Sequence, residues 1–92
     1  MVDPVPYKEF RRRMRAMDVL EEAEYPGARV FSQYRMGLGL NNFRSIPYHG
    51  DDELVSPPTI EAALAEFGFT PGDWEWAKER ADELDADEEA AE

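Results

Sequence analysis

The sequence predicts a mainly α-helical domain, with an α+β arrangement as the alternative, and three observations carry that prediction. Ser56 to Leu84 reads as two helices whose caps, periodicity and stop signals agree. Apolar residues from Tyr7 to Leu20 recur at spacings of three and four, which predicts a helix near the amino terminus. Between them lies a stretch with no consistent helical period. Three helices are therefore expected, at about 4–24, 57–67 and 71–85, with a short β-hairpin or irregular segment between the first and second.

The second helix has the clearest punctuation. Ser56 followed by Pro57 is an N-cap followed by proline at the first helical position, where a missing N–H costs nothing, and Thr59 is a competing cap. Ile60, Ala63, Leu64 and Phe67 then line one face. Gly68 stands where a left-handed C-terminal cap belongs. Thr70-Pro71-Gly72-Asp73 starts the third helix with an approximate capping box. Its stripe is Trp74, Ala77, Ala81 and Leu84. Trp76 falls off that stripe, because two residues along a helix turn about 200° and the two tryptophans cannot share a face.

At the amino terminus, Asp3-Pro4 and Pro6 read as the entry to a helix with the stripe Tyr7, Phe10, Met14, Met17 and Leu20, ended by Tyr25-Pro26-Gly27. Its charges run the wrong way for the helix dipole. Lys8, Arg11, Arg12, Arg13 and Arg15 crowd the first turns and Asp18, Glu21, Glu22 and Glu24 the last. Glu9–Arg13 and Arg15–Glu22 pairs would relieve part of this. Residues 28–46 read either as a strand, with Val30, Tyr34, Met36, Leu38 and Leu40 alternating with Arg29, Phe31, Gln33 and Arg35, or as a short helix stopped by Gly37. Asn41-Asn42 signals a turn, and Phe43 to Tyr48 a short return strand. A strand reading puts Phe31 and Phe43 on a wet face.

Ninety-two residues make one small domain, expected over 1–85, with DADEEAAE after Leu84 leaving an acidic disordered tail over 86–92. The chain has no cysteine, no run of about 20 apolar residues and no signal-peptide pattern, which predicts a cytoplasmic protein. The net charge is −11, and its distribution is lopsided: residues 1–50 sum to +2 and residues 51–92 to −13. Arginines outnumber lysines eight to two, a bias of GC-rich genomes.

Catalysis finds little support. Without cysteine, His49 would have to serve every imidazole role, and Gly37-Leu38-Gly39 lacks the third glycine of a dinucleotide loop. His49 with Asp51, Asp52 and Glu53 lacks the alternate spacing that aims calcium ligands at one point. No catalytic residue, metal site or cofactor is expected. The leading expectation is a small, acidic, non-enzymatic module that binds another protein, such as the regulators or inhibitors that phages and mobile elements encode. Its contact residues would be Trp76 with Arg80 lying over the ring, and Asp73, Glu75, Glu79, Asp82 and Glu83 around them. One alternative is that those carboxylates mimic a nucleic acid on the binding surface of a partner. Another is a helix-turn-helix-like regulator gripping DNA, or an acidic partner, through Lys8, Arg11, Arg12, Arg13 and Arg15, although the acids on the third helix would repel phosphates. An accessory subunit of an enzyme complex is the last. Self-association through apolar faces stays open.

Overall fold

A computed structural model describes the backbone of residues 2–35 and 40–91 and the side chains of 2–33 and 42–87. Its elements are β1 (Val5–Pro6), α1 (Tyr7–Ala16), β2 (Val19–Tyr25), β3 (Ala28–Arg35), β4 (Leu40–Pro47), β5 (Leu54–Val55), α2 (Pro57–Phe67) and α3 (Pro71–Ala91). The fold is α+β, which corrects the mainly α expectation. The three helices are present, but the first has half its expected length, and the middle of the chain is an antiparallel three-stranded meander in the order β2-β3-β4.

The first helix stops at Ala16 because the chain turns back there. The amides of Met17 and Asp18 close onto the carbonyls of Met14 and Arg15, and Asp18 takes the left-handed conformation at φ 62°, which a short polar side chain tolerates better than most. From Val19 the period changes from 3.6 to two. Val19 is buried and Leu20 exposed, so the residue that seemed to complete a helical stripe lies on the far face of a strand. This also removes the reversed dipole: α1 now ends on Arg13 and Arg15, where cations are favoured, and Glu21, Glu22 and Glu24 belong to β2.

Tyr25 pairs with Ala28 across a two-residue turn at Pro26-Gly27, where glycine supplies the positive φ of 76° that the turn needs. Glu22 is an extra residue in β2, between Glu21 paired with Phe31 and Ala23 paired with Val30. β3 and β4 run in unbroken register from Ala28 opposite Pro47 to Arg35 opposite Leu40. The ambiguous stretch is thus a pair of strands, and the expected alternation at Met36 and Leu38 falls outside the described residues. Of the two phenylalanines expected on the wet face, Phe43 is 51% exposed there, but Phe31 is fully buried on the opposite face.

A second, two-stranded ribbon pairs Val5 with Val55 and Pro6 with Leu54. It brings the loop after Tyr48 over the start of α1, where the carbonyls of Glu53 and Asp51 accept the Tyr7 and Lys8 amides, two donors that a helix start otherwise leaves unsatisfied. The core is aromatic. Phe10 meets Phe31 edge-on at 5.3 Å and Trp74 at 5.9 Å, and Tyr7 meets Tyr48 at 4.6 Å. Ile60, Ala63, Leu64 and Phe67 of α2 and Trp74, Ala77 and Ala81 of α3 are all buried in this cluster or against it. The two C-terminal helices therefore do not form a free-standing hairpin: α3 lies mainly along α1, and α2 touches β4 and α3. All helices sit on the sheet face that carries Val19, Phe31 and Ile46. No helix among the described residues is long and apolar enough to cross a membrane.

Candidate protein-docking surfaces

Trp76 is held where the helix start aims it. The Thr70 amide donates to Asp73 Oδ2 at 2.8 Å and the Asp73 amide to Thr70 Oγ1 at 3.2 Å, a reciprocal cap that fixes the first turn of α3. With the turn fixed, Trp74 points into the core and is 1% exposed, while Trp76 is 51% exposed. The Trp76 ring separates two hollows. One, about 210 Å³, is lined by Ala16, Met17, Asp18, Phe69 and Asp73. The other, about 310 Å³, is lined by Glu75, Lys78, Glu79 and Asp82.

The seven residues expected at this surface divide in their roles. Trp76, Glu75 and Glu79 are exposed together on α3. Asp73 is taken up by the cap. Arg80 does not lie over Trp76; its guanidinium pairs with Glu83 at 3.2 Å. Asp82 borders the second hollow, but its carboxylate is engaged elsewhere: with Asp85 it accepts from Arg12 Nη1 at 2.9 and 3.0 Å.

The amino-terminal cations are likewise split between fold and surface. Arg12 also grips Glu9 at 2.9 Å, and these hydrogen bonds hold its guanidinium more strongly protonated than usual. Arg13 is buried, with its guanidinium 4.6 Å from the Trp74 ring centre and its Nε 3.0 Å from Glu9. Burial alone would raise the Glu9 carboxyl, but hydrogen bonds from Arg12 and Arg13 outweigh it and hold the group below the ordinary range. Lys8 pairs with Asp52 at 2.9 Å in full solvent, and Arg11 stands 3.7 Å from Glu21. Arg12 and Arg13 are thus bound into the fold, while Lys8 and Arg11 pair with carboxylates nearer its surface.

Two features escaped the sequence. Glu21 is a nearly buried carboxylate that accepts from Tyr7 Oη at 2.9 Å and lies 3.7 Å from Arg29 Nε; burial, then this bond, pushes the Tyr7 hydroxyl far above its usual value. A groove of about 710 Å³ opens beside it, between α1, the start of β2 and the second half of α3, with Val19, Leu20, Ala81 and Leu84 beneath Lys8, Arg11, Arg12 and Arg15. The second feature is the sheet face turned away from the helices. Leu20, Ser32 and Phe43 form one cross-strand row there, and Ala23, Val30 and Ser45 the next. Leu20 is 55% exposed. A period-two reading begun at Val19 would have found this face, with Pro26-Gly27 as its turn signal.

The loop at His49 offers no converging ligand set: Asp51 accepts from Tyr48 Oη at 3.0 Å and Asp52 pairs with Lys8. Among the described residues no group of three or more His, Asp or Glu side chains could hold a metal ion. Comparison with protein-family models, with curated proteins and with solved structures gives no match.

Proposed function

We propose that this chain is a small, non-enzymatic, cytoplasmic module that binds another protein through Trp76 and the acids beside it. The observation that carries the proposal is the half-exposed Trp76 ring between an apolar and an acidic hollow, two residues from a tryptophan that the core absorbs completely. A bare indole on a helix fixed by a reciprocal cap costs little ordering on binding, and tryptophan is among the residues that dominate interface energetics. Glu75 and Glu79, which no cation among the described residues engages, set the sign of the partner. It is a basic segment, with an apolar side chain for the hollow at Met17 and Phe69 and a Lys or Arg for the carboxylates. The lack of cysteine fits a reducing compartment. Regulation or inhibition of that partner is the simplest consequence, because the chain occupies a surface and brings no reactive group to it.

Trp76→Ala tests this. A surface substitution should move the melting temperature by less than about 4 °C, while affinity capture with the full chain loses a basic partner that the unaltered chain retains at about 50 mM salt and releases at about 500 mM. A melting temperature that falls as for a core truncation, or a captured set indifferent to Trp76, would overturn the assignment.

A further inference from the structure

We infer that the uncovered face of the β2-β3-β4 sheet is a homodimer interface, on which two copies pack face to face about a twofold axis running along β3. This surface shares no residue with the Trp76 site, so the inference stands independently of the proposed function.

The first argument is charge. Each chain carries −11, so two copies approaching at random meet like charge, and a shared surface has to be one from which charge is missing. The outward rows Leu20–Ser32–Phe43 and Ala23–Val30–Ser45 contain no ionisable group, whereas α3 is lined with acids and α1 with cations. The face borders charge at Leu20, which also lines the groove beside Lys8, Arg11, Arg12 and Arg15; across these two rows a basic partner finds no carboxylate to grip, and a second copy meets no like charge.

The second is shape. In the first row the two large side chains stand on the outer strands and the small one on the central strand. A twofold along β3 lays β2 of one copy over β4 of the other. Leu20 then meets Phe43 of the other copy at both flanks, and Ser32 meets its counterpart at the centre. Large residues fall on large ones only where the sheets have room for them, at the about 10 Å separation and about −30° angle of aligned sheet packing. The contact is isologous and closes on itself, so it gives dimers and not chains.

The third is area. Three strands of seven or eight residues make a plate of about 14 by 25 Å at the usual spacings. Two such plates, corrugated by Leu20 and Phe43, hide roughly 1,000 Å² of accessible surface, the lower bound for a specific interface. The dimer is therefore weak and exchanges with monomer.

Sedimentation equilibrium of the full chain tests the proposal. A monomer–dimer equilibrium is expected whose association strengthens several-fold between about 50 and 500 mM NaCl, as salt screens the like charges. Phe43→Asp and Leu20→Asp, each confirmed folded by circular dichroism, should weaken it at least tenfold, and Trp76→Ala should leave it unchanged. Because the chain has no cysteine, Ser32→Cys gives a single thiol. A short bis-maleimide should join two such chains efficiently, and a Thr59→Cys control, behind the sheet, poorly. A chain that stays monomeric to about 1 mM in both salts, a dimer untouched by both Asp variants, or Ser32→Cys linking no better than Thr59→Cys would overturn it.

Discussion

Glu9 shows how one side chain can decide which arginines reach the surface. It accepts from Arg12 and Arg13 at 2.9 to 3.0 Å, and the second of these holds the guanidinium that covers Trp74. Its carboxyl is lower in the folded chain than the ordinary value of 4.5. The sign follows: a group depressed by folding contributes stability that is complete above its unfolded value and is lost as the pH falls through the folded one. Glu9→Gln should therefore cost about 1 kcal/mol at pH 7. The gap in melting temperature between variant and parent should hold down to about pH 5 and close below 4.5. A gap independent of pH would mean that the charge on Glu9 contributes nothing. The spacing gave the Glu9–Arg13 pair, which the structure contains, but neither the bond from Arg12 to the same carboxylate nor the burial of Arg13 over Trp74.

At the level of elements, what could be read from the chain was what is fixed locally. Gly68 closes α2 in the left-handed conformation at φ 79°, with its amide on the Ala65 carbonyl at 3.3 Å and the Phe69 amide on Leu64 at 2.8 Å. An alanine there would be strained, so Gly68→Ala should lower stability by about 1 kcal/mol with the fold intact; chemical denaturation measures it, and an unchanged midpoint would refute the cap. Such signals need only a few neighbours, which is why both ends of the α2–α3 connection were legible. The end of α1 was not, because Met17 and Leu20 continue the three-and-four spacing across a turn, and apolar periodicity cannot distinguish a helix from the start of a strand. Electrostatics could. Acids in a supposed last turn signalled that those residues were not helical. Likewise the tie from Arg12 to Asp82 and Asp85 spans seventy residues and more, beyond any local pattern.

For the molecule as a whole, the two surfaces predict opposite responses to ionic strength: partner capture at Trp76 weakens with salt, and self-association across the sheet strengthens. Observing both signs in one protein would separate the acidic helix from the neutral plate more cleanly than any single variant. The sequence's division into a +2 half and a −13 half foreshadowed the first surface and not the second, because an uncharged face leaves no trace in a charge count. One further consequence lies in β2, one of the two edge strands of the meander. Its extra residue Glu22 and the exposed Glu24 do what bulges and edge charges do elsewhere, denying a passing strand a flat ladder to extend. Near pH 4.4, where the sequence as a whole is neutral, the repulsion between chains vanishes, so thioflavin-positive fibrils should form fastest there. They should slow again at about pH 2 as the ten cations take over, and slow at pH 4.4 in Glu24→Lys, which keeps a charge on the strand.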